Sequence, residues 1–350
     1  MASDAVYHHL IPRAYMRSWC FKKDSIYIFD KNDKKEKGPV NRNIEHICGR
    51  NYYHSIKAGS LYSNSDALEY IFGFLKDYNI ELNGKPIDSL SDKNMNFFDY
   101  DNWIIKYPNN VIVSRKKRNE IKHQIKQNKY NEIEEQWSYQ FENDWGNVIK
   151  SLSEKIIQIK SGEEVFLTDV DEDILMKYIV MFDWRGFLSN EQFNASYNLV
   201  FDSIKDFFEG IEIPYTEQIY PGDITPYDEF RHALLLKYYD EFLNNKGIIY
   251  NNFKTYKEKL TMLFCISNEE DKFITSSNPS FTFINEIGLR EQFFVALPNL
   301  LILLCKNNES EPNSYKIAKL SKEEVQRYNK TIFQNNDFII LPSNSMELYI

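Results

Sequence analysis

The sequence predicts an α+β fold: a helical central body between an N-terminal β-containing module and a C-terminal mixed sheet. Three observations carry that expectation. Apolar residues recur with helical spacing through the middle of the chain, short β-rich apolar runs separated by polar turns fill the region after Tyr256, and a strand-and-turn pattern occupies the first 60 residues. The expected segments are 1–60 for the N-terminal module, 61–255 for the helical body with a variable insert near 79–131, and 256–350 for a β-rich segment packed into the same globule.

The first segment opens on YHHLIPRAYMRSW, Tyr7 to Trp19, where Pro12 is suited to begin a helix that sets Arg13 and Arg17 on one face. SIYIFD follows as a strand, with Ile26 and Ile28 on one face and Tyr27 and Phe29 on the other, and a charged loop carries Gly38-Pro39. RNIEHICGRNYYHS is broken at Gly49 and can return Glu45, His46 and His54 toward the opening.

In the middle, EIEEQWSYQFENDWGNVIKSLSEKIIQI reads as one long helix whose stripe is Ile133, Trp137, Phe141, Val148, Leu152 and Ile156. Thr168 is suited to cap the next helix, which presents Leu175, Tyr178, Ile179 and Phe182. A further helix is expected over 194–210, and Thr225-Pro226 starts another. After Tyr256, LPNLLILLC reads as a buried strand, since nine residues fall well short of the roughly 20 that a helical membrane span needs.

Charge and cysteine usage bound the function. With 42 Lys and Arg against 51 Asp and Glu, the formal charge of -9 disfavours a general nucleic-acid binder and leaves room only for a local basic site. Four scattered cysteines without a CxxC pair, and opening residues without the apolar core of a secretion signal, lead to the expectation of a cytoplasmic protein with no membrane partner.

Chemistry is concentrated in a few places. His8 or His9 can hold a divalent ion or activate water, and Arg17 offers a planar fork for a carboxylate or phosphate. Asp30 and Glu45 supply carboxylates, so His9, Asp30 and Glu45 form the expected metal set, while His46 and His54 are additional imidazoles. Arg185 in FDWRGF is a candidate cleft arginine against the ordinary alternative of an ion pair. The run Val113 to Lys129 places Arg115, Lys117, Arg118 and Lys122 where they can track a phosphate backbone, although a solvated basic helix explains the same residues. Ser276 and Asn278, just before Pro279, suit an anion-binding turn or a plain Ser turn. Glu134, Glu135 and Glu142 read as solvated carboxylates. HExxH, zinc-finger spacing and GxxxxGK[ST] do not occur.

The chain also resembles the bacterial domain-of-unknown-function family 4238. HHLIPRAYMRSW matches that family's histidine, proline, tyrosine and arginine pattern at His9, Pro12, Tyr15 and Arg17, with Met16 where leucine is common. SIYIFDK with Asp30, NIEHICGRNYY ending at Tyr53, DEDILMKYIVMFDWRGF ending on Arg185, and FITSSNPSF continue the likeness, and Ser277 stands where the family has aspartate. The resemblance implies a fold and a site but no reaction. Two functions are therefore expected from the residues. One is a metal-dependent phosphodiesterase or nuclease, with bacterial defence as its setting. The other is a non-catalytic protein that binds an anionic small molecule or peptide and regulates a protein partner.

Overall fold

Residues 6–35, 37–185, 193, 197–199, 201–202, 205–208, 210–284, 290–306 and 313–349 are described in a computed structural model. The fold is α+β. It divides into two compact units, each assembled from three stretches of chain: residues 1–8, 51–136 and 196–244 form the first, and residues 9–50, 137–195 and 245–350 the second. These boundaries do not coincide with 1–60, 61–255 and 256–350, because the strands of the opening segment pair with the end of the chain.

That pairing lies in the second unit. Ser25–Asp30 runs antiparallel to both Val40–Asn43 and the late strand Phe338–Leu341, which in turn pairs with Thr275–Ser276. Ile26 and Ile28 are buried and their neighbours half-buried, as the alternation predicts. The larger sheet has six strands in the order Glu164–Phe166, Ser314–Lys319, Leu260–Ile266, Leu300–Lys306, Arg290–Leu297 and Ser280–Ile284. It is mixed: Leu260–Ile266 lies parallel to Ser314–Lys319, and the other neighbours are antiparallel. LPNLLILLC holds a buried strand, Leu300–Lys306, as expected, but its first three residues are the end of the preceding strand and the turn of a hairpin. Leu297 pairs with Leu300 across Pro298-Asn299, because a proline locks φ for a tight turn and removes a ladder donor.

The helices of the second unit close over an aromatic core. The expected long helix is interrupted: helix Glu132–Trp137 passes into a π-helical turn at Ser138–Glu142 and resumes as Asn143–Ile157. The extra residue per turn rotates the buried stripe, so Trp145 and Ile149 face inward where Val148 was expected. Helix Asp169–Arg185 starts where Thr168 Oγ1 accepts the Asp171 N–H at 3.1 Å. Its C-terminal half is buried on every side, well beyond the expected face. Tyr15 stacks among Trp19, Trp145, Phe182 and Phe294, and its hydroxyl donates to Val295 O and meets Thr275 Oγ1, both at 2.7 Å.

The first unit is mainly helical. It contains Ser65–Phe72, Arg115–Gln127 and Pro226–Leu243, with a three-stranded antiparallel sheet of Lys85–Pro86, Asn79–Leu82 and Trp103–Lys106 and a two-stranded one of Ile56–Lys57 and Lys129–Tyr130. Thr225 and Asp228 form a reciprocal capping box that spans Pro226 at the helix start, as Thr225-Pro226 predicts. Of the helix expected over 194–210, residues 197–199 and 201 are helical and Lys205–Phe207 is a 3-10 turn, while 194–196, 200, 203–204 and 209 lie outside the described residues. Among the described residues, no helix is long and apolar enough to cross a membrane.

Candidate metal centre

The first unit gathers a histidine from the opening strand, a histidine from a tight turn and a glutamate from a helix. Residues 52–55 form that turn: Tyr52 has a left-handed φ of 55°, and its carbonyl accepts the Ser55 N–H at 3.2 Å. The turn aims His54 at Glu134, in helix Glu132–Trp137, and His54 Nδ1 lies 2.5 Å from Glu134 Oε2. The backbone N–H of His54 donates to His8 Nδ1 at 2.9 Å, and the same nitrogen of His8 is 3.9 Å from Glu134 Oε2. Accepting a backbone N–H fixes the lone pair of His8 on Nδ1 and places the proton of its neutral ring on Nε2. One donor atom from each of His8, His54 and Glu134 lies within 4.8 Å of the other two. Both imidazoles are fully buried, and the Glu134 side chain keeps 12% exposure, so solvent meets the cluster at the carboxylate.

A second layer fixes the turn. His232 Nε2–H donates to the Tyr53 carbonyl at 2.7 Å, while its Nδ1 lies 2.8 Å from Asp223 Oδ2. Tyr53 and Tyr220 pack on the His232 ring at 4.2 and 3.8 Å, and Tyr53 and Tyr239 meet His54 edge-on. Tyr220 Oη donates to the Ser55 carbonyl at 2.9 Å, and Ser55 Oγ donates to Asn131 Oδ1 at 2.6 Å. The Tyr53 and Ser55 polar atoms named here are thus tied to side chains of the same unit, which restricts the orientation of the His54 ring.

The residues expected to form the site are distributed differently. His8 belongs to the cluster. His9, Asp30 and Glu45, the expected metal set, do not come together as ligands: His9 Nε2 is 3.0 Å from Ile44 O, Asp30 Oδ1 accepts the Asn32 N–H at 2.9 Å, and Glu45 pairs with Arg13 at 3.3 Å. Arg17 is exposed and lies 3.7 Å from Asp24. His8 lies in the first unit, whereas Arg17, Asp30 and Glu45 lie in the second, and a common catalytic set of these four is not formed within either unit. Arg185 is fully buried, with Nη1 on Glu142 at 2.9 Å, Nη2 on the His9 carbonyl at 2.5 Å and Trp137 beneath its guanidinium, so it is a structural clamp rather than a substrate-facing arginine.

Two further expected sites have partners within the fold. Ser276 is buried, and its hydroxyl donates to the Asn278 carbonyl and accepts the Asn278 N–H at 3.0 Å, the geometry of a plain Ser turn. The basic run is helix Arg115–Gln127, capped by Ser114. Arg118 donates to the carbonyls of Tyr100 and Asp101, Lys122 binds both carboxylate oxygens of Asp101 and holds that carboxyl below its ordinary range, and Lys117 pairs with Glu120. Of the four basic residues named for nucleic-acid contact, Arg115 is exposed at the helix start and Lys117 keeps a solvent-facing side chain in its surface pair.

Arg13 and Arg17 share a feature of the second unit. With Ser18, Ser138, Glu142 and Trp145 they line a cleft of about 570 Å³.

A family model described as a protein of unknown function, DUF4238, matches residues 7–344. The chain belongs to the DUF4238 family. The match takes in all three cluster residues and both arginines of the cleft, so each is part of the DUF4238 body rather than of an appended segment. No curated protein and no solved structure matches the chain.

Sequence reasoning named His8 and counted His54 among the spare imidazoles, but it read Glu134 as solvated. Glu134 stands 80 residues from its partner, and no local pattern distinguishes it from Glu135. Glu142 was likewise read as solvated and instead balances a buried arginine.

Proposed function

We propose that this protein is a metal-dependent phosphodiesterase or nuclease, with bacterial defence as its setting, and that His8, His54 and Glu134 hold its divalent ion. The observation that carries this reading is the convergence of two imidazoles and one carboxylate with donor atoms within 4.8 Å. Two histidines and a glutamate are a donor set that leaves a coordination position for water, and imidazole nitrogen and carboxylate oxygen both bind ions of the zinc and manganese type. Binding requires His54 to release the proton it shares with Glu134 and His8 to yield its bond from the His54 N–H, so the affinity is expected to be modest and strongly pH-dependent. A bound ion would supply a water of lowered pKa next to a phosphate ester. Attack of such a water on phosphorus would break one ester P–O bond, its proton passing to the leaving oxygen.

The test is cleavage of labelled DNA and RNA with magnesium, manganese or zinc, run beside calorimetric titration of the metal. Wild type should cut one substrate, and Glu134→Gln should lose about 100-fold or more, as expected for removal of a ligand or an outer-shell partner. Equal cleavage by both proteins, or no metal binding by wild type, rejects the proposal.

A second reading, non-catalytic binding of an anionic small molecule or peptide with consequences for a protein partner, is favoured by the cleft of the second unit. Arg13 and Arg17 are held there only by exposed ion pairs, which contribute little and yield readily to a ligand carboxylate or phosphate. Calorimetry with nucleotides and acidic metabolites tests it, and indistinguishable heats from wild type and an Arg13→Ala/Arg17→Ala variant exclude it.

A further inference from the structure

We infer that Lys57 and Lys129, gathered on the ring of Tyr52, form a phosphate-binding seat beside the His8, His54 and Glu134 cluster. The inference rests on the hydrolase reading for its purpose, but its geometry is independent. Lys57 and Lys129 are direct cross-strand partners in the ladder of Ile56–Lys57 with Lys129–Tyr130. Like charges placed directly opposite one another destabilise a strand pair, and the usual remedy is to turn the two side chains apart into water. Here both ammonium groups lie over one tyrosine ring, Lys129 Nζ at 3.9 Å and Lys57 Nζ at 5.4 Å from its centroid.

Lys57 is confined further. Its Nζ lies 4.6 Å from the Tyr220 ring centroid and donates to the Ile219 carbonyl at 2.9 Å, and its N–H donates to Ser60 Oγ at 3.1 Å. Burial, then the charge of Lys129, pushes the Lys57 ammonium down to about 8, with Asp223 opposing. Two cations that share one ring and oppose each other's charge in partly dry surroundings are stabilised by an anion that reaches both. A phosphate group does so without the planar geometry that a carboxylate needs, and ammonium groups bind it as point charges.

The position gives the seat its use. Tyr52 is the left-handed residue that opens the turn carrying His54, and its ring meets His8 edge-on at 6.3 Å. A phosphate on the lysines is therefore one ring away from the proposed metal ligands, so the substrate class is a phosphoanion rather than a peptide or a neutral ester. A free phosphate compound and a phosphodiester share that group.

The experiment is calorimetry on the full chain in chelator, which separates phosphate binding from metal binding and from turnover. Pyrophosphate and a thymidine dinucleotide are the probes, and whichever binds identifies the source. Lys129→Gln, at a half-buried position, should weaken binding about tenfold or more, the worth of one charge-assisted hydrogen bond, and Lys129→Arg should recover most of it. Lys57→Gln should do the same where its melting temperature shows that it folds. Glu134→Gln should still bind the probe, and Lys129→Gln should still bind manganese. Wild type binding neither probe, or Lys129→Gln binding as tightly as wild type, overturns the seat even if the protein cuts nucleic acid. Probe binding by a chain that takes up no metal sustains the seat and rejects the metal centre.

Discussion

Three side chains show how differently a buried polar group can be used in this molecule. Tyr15 is fully buried, and its hydroxyl joins Thr275 to Val295 across the second unit. Tyr15→Phe keeps the ring and strips both partners of their bond, so it should cost about 1–3 kcal/mol in urea denaturation. Arg185 is a larger case: its guanidinium balances Glu142 and satisfies the His9 carbonyl, and Arg185→Ala should destabilise by about 3–5 kcal/mol, read as a fall in the denaturation midpoint. Lys57 is a cation held at a cost. Its pKa is lowered to about 8 in the folded chain from an ordinary value near 10.5, so above pH 8 the unfolded chain binds more protons than the native one. Stability contributed through Lys57 should therefore rise between about pH 8 and 10.5. Lys57→Met, which cannot titrate, should lose that rise, and the difference between the two denaturation series isolates it from tyrosines that titrate near pH 10.

At the scale of elements, local sequence rules hold where an end or a turn is in question and fail where phase is. Thr225 was legible as a helix start because its hydroxyl, Pro226 and Asp228 act within one turn of chain. Thr225→Ala should cost about 1 kcal/mol, measured by chemical denaturation. The helix from Glu132 was legible as a helix, but its π-helical turn was not. A single widened turn leaves no compositional mark, yet it moves Trp145 into the aromatic core and leaves Val148 at its margin. LPNLLILLC is the expected buried strand from Leu300 onward, but its start was misplaced for a related reason. Its apolar letters are continuous on both sides of Pro298, and only the pairing of Leu297 with Leu300 shows that the chain reverses there.

For the molecule as a whole, an acidic chain with a formal charge of -9 confines any attraction for phosphate to places where cations are collected against the trend. The basic helix was the obvious place in sequence, but Arg118 and Lys122 are tied to residues 100–101. Lys57 and Lys129, 72 positions apart, are brought together by two short strands. With the proposed metal centre, saturating manganese should raise the melting temperature of wild type and leave that of Glu134→Gln unchanged, since a ligand that binds only the native state stabilises it by mass action. An equal shift in both proteins would place the ion elsewhere.

The sequence by itself determined the α+β class, the helical middle and β-rich end, and the caps at Thr168 and Thr225. All of these arise from periodicity, turn chemistry or residue type within one or two turns of chain. Tertiary structure decided which groups meet. His9 and not His8 fitted the family pattern, yet His8 alone of the two turns into the cluster, because successive residues of a strand face opposite ways. Glu134 and His54 are joined only when a turn at 52–55 and a helix at 132–137 pack in one unit. Their separation along the chain leaves no spacing to read, since the bond that unites them forms through space.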